Sequence, residues 1–220
     1  MKFDFAYAAR ALPALLRGAV TTIEVALLAV LLGVVVGIVI TLLRQARFPV
    51  LRHFAAAHVS FARGTPLFMQ ILLVYYALPA IHIDVPRFWA GVIALSLNGG
   101  AYISEMIRGG LTAVSKGQID AARALGMPNQ LIWRHVKLPQ VFILILPPLA
   151  VEFAALVKAS SLLSVIAVIE LTRTAQGIIS DSFRPVEIWI TTGVLYFLIC
   201  YGLTAITKHF ERVSAARLPV

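Results

Sequence analysis

Two ionisable side chains interrupt one apolar stretch of the sequence and are the first candidates for chemistry. Glu152 and Lys158 lie within the apolar residues 141–169. At 1.5 Å per helical residue, Glu152 would lie about 16 Å into a span that begins near 141, close to the middle of a bilayer. A lone carboxylate at that depth marks a functional site by default, because it can receive an ammonium group. A hydrogen-bonded packing role is the alternative for Glu152.

Three further polar side chains belong to the same apolar segments. Lys158 would lie about 26 Å along its helix, near the interface, where an ammonium group either snorkels to water or contacts a solute. Asn98 and Gln70 either line a solute path or form hydrogen bonds between helices, and the second role is more common. The residues alone leave these alternatives open.

Patterns typical of enzymes are not visible in the sequence. It contains no Gly-x-x-x-x-Gly-Lys-Ser/Thr loop for ATP phosphates. The five histidines and Cys200 lack the spacing of metal ligands, and no Ser/His/Asp set is suggested. We therefore expect no catalytic residues, no metal and no bound cofactor on this chain, and a transporter or channel subunit is the default class.

The elements that carry these residues are predicted to be membrane-spanning helices. The 220 residues are 60% apolar and 13% charged, whereas soluble domains are about half apolar and a quarter charged. Open sheet edges have no partners in lipid, so the spans should be helices. The predicted fold is an all-α integral membrane protein with one transmembrane domain over 1–220. Uncharged runs place five transmembrane helices at 19–43, 64–83, 88–107, 141–166 and 187–207.

The distribution of lysine and arginine predicts the orientation. Twelve of the 19 lie after the first span, after the third span or in the C-terminal tail, against six on the other side and Lys158 within the membrane. Cytoplasmic loops are rich in these residues, so we expect the C-terminus in the cytoplasm and the N-terminus outside. The net charge of +9 is thus an orientation signal, and we expect no binding of nucleic acid. Residues 1–18, apolar at helical spacing, are predicted to form an interfacial helix on the outer surface.

The predicted cytoplasmic segment 108–139 is too polar to cross a membrane and has a helical pattern of its own. Residues 118–125 favour a helix, and Gly126 suits the left-handed residue that ends it. Pro128 suits the first turn of a second helix. The pattern predicts two short helices that meet at Gly126. By composition alone, they either lie on lipid or dock on a cytoplasmic partner.

Several blocks of the sequence resemble the permease subunits of ABC importers, in the polar amino acid branch of the histidine and glutamine type. The segment DAARALGMPNQLIWRHVKLPQ (120–140) is similar to the loop that couples such permeases to an ATPase. Similar blocks in the same order are RGTPLFMQ (63–70), AYISEMIRGG (101–110) and SSLLSVIAVIELTRTAQ (160–176). The resemblance covers roughly residues 15–215.

The resemblance implies a type I ABC importer-like fold in which 108–139 is a two-helix coupling loop. The residues that it implies for contact with the ATPase are Asp120, Ala121, Ala122, Gly126, Leu138 and Pro139. The implied substrate path contains Glu152, Lys158, Ser160, Ser161, Asn98 and Gln70. Two positions depart from the family. Asp120 stands where a glutamate is usual, and Ala159 stands where an aspartate is frequent, which disfavours a strongly cationic solute.

The implied function is that of a permease subunit of an ATP-driven amino acid importer in the bacterial inner membrane. The implied partners are ABC ATPase subunits, which would bind ATP and Mg²⁺, a second permease chain and an extracytoplasmic solute-binding protein, all in or on the lipid bilayer. A stand-alone secondary transporter or channel is the alternative. Such carriers are often built from two inverted repeats, and five spans do not divide into equal halves.

Overall fold

The computed structural model describes the backbone of residues 3–215 and the side chains of 3–205, and its regular elements in that part are helices. In chain order they are α1 (Phe5–Arg44), α2 (Pro49–Gly64), α3 (Leu67–Ala80), α4 (Arg87–Ala113), α5 (Lys116–Ala124), α6 (Asn129–Ile132), α7 (Leu138–Ala159), α8 (Leu171–Ser182) and α9 (Pro185–Ala215). A π-helical turn, Trp133–Lys137, joins α6 to α7, and a 3-10 helix, Ser160–Ile166, follows α7. The all-α prediction is confirmed.

Helix α1 is one continuous element of 40 residues. The side chain of Asp4 caps it by accepting the backbone N–H of Tyr7 at 3.0 Å. We predicted a separate interfacial helix over 1–18 before a span at 19–43. Residues 1–2 lie outside the described residues, and from Phe5 to Arg44 the structure has a single helix instead of two. Ala11 and Leu15 are buried against apolar residues of α8 and α9, which gives the early turns a protein partner.

Helices α1 and α4 form the central pair of the bundle and run parallel. Gly33 and Gly37 bring the two backbones together, since a Cβ on Gly37 would approach Cγ2 of Ile103 at 2.8 Å. On the α4 side, a Cβ on Gly100 would lie 2.4 Å from Cγ1 of Val36. This is the close helix approach that a small-xxx-small spacing permits.

Helix α7 packs against α4 in the opposite direction. The contacts of three α4 glycines show the register: Gly110 faces Val141, Gly99 faces Glu152 and Leu156, and Gly91 faces Leu163. The chain therefore returns along α4 toward the end where α4 begins.

Helices α2 and α3 are bent by 119° at a short break. Pro66, the residue before α3, has no N–H to continue a helix. The sequence assigned 44–63 to a loop and 64–83 to a span, whereas the structure has a helix at Pro49–Gly64 and a second at Leu67–Ala80. Helix α3 has 14 residues, about 21 Å, and is too short to cross about 30 Å of hydrocarbon by itself.

Three described stretches are long and apolar enough to cross a membrane: Phe5–Arg44, Asn129–Ile166 and Pro185–Ala205. The bent pair of α2 and α3 makes a fourth if it is counted as one span. Helix α4 has 27 residues, but polar side chains such as Ser96 and Asn98 dilute its apolar content. The chain is thus a multi-pass membrane protein, with fewer spans by this criterion than the five predicted.

Candidate functional site

Glu152 lies on α7 where that helix faces α4. Its Oε1 would be 3.3 Å from a Cβ built on Gly99, so an alanine there would crowd the carboxylate. The side chain is half-buried, and within the described residues no hydrogen bond or ion pair reaches it. Pro147 and Pro148 lie inside α7 and cannot donate to the carbonyls one turn earlier. These carbonyls belong to Ile143 and Leu144, more than two turns before Glu152, so the site itself offers a carboxylate without a described partner.

Asn98 and Gln70 form a buried hydrogen-bond cluster. Nδ2 of Asn98 donates to Oε1 of Gln70 at 3.0 Å and to the carbonyl of Ala62 at 3.2 Å. Nε2 of Gln70 donates to the same carbonyl at 3.0 Å and to Oγ1 of Thr65 at 2.9 Å. The two amides thus fasten the bend between α2 and α3 to α4, in keeping with the interhelical role that the sequence left open for them.

The structure does not gather the remaining path candidates around Glu152. Lys158 is exposed near the end of α7. Oγ of Ser160 donates to the carbonyl of Val157 at 2.8 Å, and Oγ of Ser161 donates to the carbonyl of Lys158 at 2.7 Å. Both hydroxyls satisfy the backbone of their own turn.

Helix α5 ends in the glycine corner that the sequence predicted. The φ of Gly126 is +75°, the N–H of Gly126 donates to Arg123, and the N–H of Met127 donates to Ala122 at 3.1 Å. This pair of bonds is a Schellman motif, which satisfies the last carbonyls of a helix and favours glycine at the left-handed position. Ala122 is buried beneath the corner.

The outer face of α5 is open to solvent. Asp120 and Ala121 are exposed, and Leu125 is 82% exposed. Asp120 also pairs with Arg123 at 3.1 Å. The helix therefore presents a mixed apolar and charged surface away from the bundle.

Leu138 and Pro139 lie in the first turn of α7, and both are exposed. The sequence predicted that Pro139 separates a second short helix from the next span. In the structure, α6, the π turn and α7 follow one another without a break from Asn129 onward. Gln140 at the start of α7 donates to Gln118 of α5 at 2.8 Å. Helices α5 and α7 are thus linked by a side-chain hydrogen bond.

Three charges meet where α1 and α4 end near α5. Glu105 forms ion pairs with Arg44 of α1 and with Arg108 of its own helix, the latter at 2.7 Å. Glu105 and Arg108 lie three residues apart on one face of α4, and the added contact with Arg44 ties α1 to α4 at this end.

Sequence reasoning missed Glu170. This carboxylate is fully buried, accepts the N–H groups of Thr172 and Arg173 at 2.8 and 2.7 Å, and accepts the hydroxyl of Tyr196 at 2.9 Å. Burial raises the pKa of Glu170, although these hydrogen bonds favour the carboxylate. The following N–H, of Leu171, donates to Thr22 of α1 at 3.2 Å. The only sequence signal was an acid just after an apolar run, and it does not reveal the distant partners.

The sequence model of the family described as binding-protein-dependent transport system inner membrane component matches residues 29–213. The arginine transport system permease protein ArtQ of Bacillus subtilis is 35% identical over 213 residues, which are 96% of this chain and 97% of that protein. The glutamine transport system permease protein GlnP of Escherichia coli K12 is 36% identical over 214 residues, 96% of this chain and 98% of that protein.

Solved structures have the same fold. A chain in the crystal structure of an amino acid ABC transporter with histidines has a TM-score of 0.90 at 37% identity and covers 96% of this chain and 99% of its own. A chain of the inward-facing MetNI methionine ABC transporter has a TM-score of 0.75 at 18% identity, over 92% and 97% of the two chains, and shows the fold alone.

These relatives are transport permeases over nearly their whole length, and permease subunits of this kind are not enzymes. The alternative of a carrier that works alone is therefore set aside. The chain belongs to the family of binding-protein-dependent transport system inner membrane components, the permease subunits of ABC importers.

Proposed function

We propose that this permease subunit serves an ATP-driven importer of polar amino acids. The observation that carries the proposal is the full-length similarity to permeases named for arginine, glutamine and L-cystine transport. The exposed face of α5, with its glycine corner, supports the proposal, because a separate ATPase needs an exposed surface to bind.

We infer that the chain crosses the membrane five times, by α1, the bent pair of α2 and α3, α4, α7 and α9. Parallel packing of α1 and α4 supports this count. Arg44 at the end of α1 pairs with Glu105 near the end of α4, so the chain between the end of α1 and the start of α4 must cross once. Helix α4 is central, and its polar residues Ser96, Asn98 and Ser104 are buried in the bundle.

The same packing supports termini on opposite sides. Helix α7 runs against α4, and α9 runs parallel to α1, since Glu187 accepts the N–H of Asp4 while Tyr196 lies beside the bundle residue Glu170. The excess of lysine and arginine on the side of α5 favours the cytoplasm for that side and for the C-terminus, with the N-terminus outside. The membrane would be the bacterial inner membrane.

We propose that α5 is the contact for the ATPase, through Asp120, Ala121 and the corner at Gly126. Ala122 would support the corner from below, and Leu138 with Pro139 would complete the surface from α7. Because Gln118 and Gln140 link α5 to α7, a displacement of α5 reaches the helix that carries Glu152. Coupling of this kind needs one stiff element between the two sites.

We propose Glu152 as the solute-binding residue of the path, with its carboxylate directed at the ammonium group of an amino acid. Its lack of a described partner beside Gly99 supports this role. Lys158, Ser160 and Ser161 would border the path nearer the other end, while Asn98 and Gln70 would hold the shape of its wall.

The proposed partners are two ABC ATPase subunits, a second permease chain of the same or a related kind, and an extracytoplasmic solute-binding protein. ATP and Mg²⁺ would bind to the ATPase, and this chain would hold no cofactor, metal or nucleic acid.

The test is to tag the chain, extract it from its own membrane in mild detergent and identify the proteins that co-purify. We expect a cytoplasmic ATPase in stoichiometric amount. The complex is then reconstituted with its binding protein in liposomes, and uptake of labelled arginine, glutamine and cystine is measured with ATP and with a non-hydrolysable analogue. Uptake by the chain alone, driven by an ion gradient, would contradict the proposal.

A further inference from the structure

A cavity of about 460 Å³ lies at the end of the bundle away from α5. It is formed by α1, the start of α4 and the turn that follows the 3-10 helix. The residues that line it include Thr21, Glu24, Arg87, Phe88, Val168 and Ile169. Its volume falls in the range of about 300–1,000 Å³ that is usual for small-ligand pockets.

The cavity wall carries one negative and one positive side chain that do not pair. Glu24 belongs to α1 and Arg87 is the first residue of α4, and within the described part of the chain neither forms an ion pair. Nη1 of Arg87 donates to the carbonyl of Ala167 at 3.2 Å. This bond holds the guanidinium group at the cavity and leaves its other N–H groups free.

Apolar side chains separate the two charges from the interior. Val168 is 2% exposed and Phe88 is half-buried, whereas Ile169 is 70% exposed at the cavity. A ligand with an aliphatic or short carbon frame would therefore contact apolar surface while its charged groups meet Glu24 and Arg87.

We propose that this cavity binds a zwitterion, with an ammonium group on Glu24 and a carboxylate or phosphate on Arg87. A guanidinium group suits either anion because its N–H groups can donate in pairs. The start of a long helix also favours the anion at Arg87. The site is separate from Glu152, because Arg87 precedes Gly99 by about 18 Å along α4.

Two sources supply this chemistry. One is a free amino acid on its way to Glu152, and this arm rests on the proposed function. The other is the headgroup of an ethanolamine phospholipid, whose ammonium and phosphate groups have the same charges. The pocket is the same in both cases, and binding experiments separate the sources.

The experiment uses the importer complex in nanodiscs made of phosphatidylglycerol. This lipid is anionic, so the nanodiscs contain no zwitterionic lipid. Binding of labelled L-glutamine and of phosphoethanolamine is measured at equilibrium for wild type, Glu24→Gln, Arg87→Gln and the exchange variant Glu24→Arg with Arg87→Glu. We expect each single variant to weaken binding about ten- to a hundredfold, the usual effect of losing one charged hydrogen-bond partner. The exchange variant should regain part of the affinity, because the ligand can bind reversed.

Matched controls are Asp181→Asn and Arg173→Gln, exposed charges of α8 that do not line the cavity. A second nanodisc set contains phosphatidylethanolamine. If this lipid displaces bound glutamine, both the amino acid and the lipid headgroup bind in the cavity. If this lipid is enriched around the complex and glutamine does not bind, the lipid headgroup is the only ligand. Unchanged binding in both single variants, an equal loss in the controls, or no binding of any probe by wild type would overturn the proposal. Phosphoethanolamine tests the pocket even if the complex transports no amino acid, so the two proposals fail separately.

Discussion

Glu152 and Glu170 both lie at least partly buried among helices, but they differ in their hydrogen-bond partners. Glu170 is saturated by two backbone N–H groups and a tyrosine hydroxyl, which join α8 to α9. Glu152 has no described partner and faces a glycine. A buried carboxylate that is satisfied holds a structure together, whereas an unsatisfied one is poised to bind a cation.

At this scale we predict that Glu152→Gln reduces uptake about ten- to a hundredfold, because the amide cannot attract an ammonium group as the carboxylate does. ATP-dependent uptake in liposomes, normalised to the amount of assembled ATPase, measures the effect. Asp181→Asn, an exposed carboxylate of α8, is the control and should transport as wild type does. Full uptake by the Glu152→Gln complex would show that the residue is structural.

Helix α5 has one face exposed to solvent and ends in a corner at Gly126, where φ is positive. Positive φ is accessible to glycine at no steric cost and costs an L-residue about 1–2 kcal/mol. The corner fixes the end of α5, and the hydrogen bond that Gln140 donates to Gln118 links α5 to α7.

We predict that Gly126→Asp uncouples ATP hydrolysis from uptake, because the strained corner shifts α5 on its support. Uptake and the stimulation of ATPase activity by the binding protein are measured on the same preparation. Gly117→Ala, in α5 but without positive φ, should behave as wild type. Normal uptake together with normal stimulation in Gly126→Asp would refute the coupling role.

The packing of α1 against α4 also depends on glycine, because a residue without a Cβ lets the two backbones lie close together. We predict that Gly100→Ala destabilises the protein by about 1–3 kcal/mol, the usual cost of overpacking, since its Cβ would lie 2.4 Å from Val36. Thermal unfolding in detergent measures this loss. Gly109→Ala is the control on the same helix, with no atom within 4 Å of its Cβ. Adding Val36→Ala should restore part of the stability, and equal melting of both glycine variants would contradict the packing argument.

The whole molecule is closed at one end by contacts between residues far apart in the chain. Asp4 caps α1 and pairs with Arg184 before α9 at 2.5 Å, and the guanidinium of Arg184 also lies 4.9 Å from the ring centre of Tyr7. Helices α1 and α9 therefore meet at their first turns, which fixes the starts of these two helices relative to each other.

This closure predicts a pH dependence. The N–H of Tyr7 and then Arg184 lower the pKa of Asp4 below its ordinary value of 3.8. The ionised carboxylate of Asp4 is more stable in the folded chain than in the unfolded chain. It therefore contributes fully to the free energy of unfolding above the ordinary pKa, and this contribution is lost as the pH falls through the lowered pKa. We expect Asp4→Asn to melt at a lower temperature than wild type at neutral pH, and the difference to vanish only below about pH 4. Asp181→Asn should show no such difference, and a gap that closes near pH 6 would contradict the assignment.

Much of the fold and of the candidate site follows from residue type and local spacing. Uncharged runs mark the helical membrane segments, because lipid excludes charge and unpaired backbone. The corner at Gly126 was predicted correctly, because a Schellman motif is completed within six residues. The apolar run also predicted that Glu152 belongs to a long helix, and it lies within α7.

Tertiary structure decided what depends on partners distant in sequence. The burial of Glu170 needs Tyr196, and the roles of Asn98 and Gln70 need the carbonyl of Ala62. Residues 5–18 continue into the rest of α1 and pack against apolar residues of α8 and α9. Apolar periodicity gives the period of a helix and the depth of a residue, but it does not specify which other helix lies against it. That choice is made by side-chain shape and hydrogen bonding across the packed bundle. The sequence therefore located the polar candidates, and the folded chain showed which of them have partners within the protein.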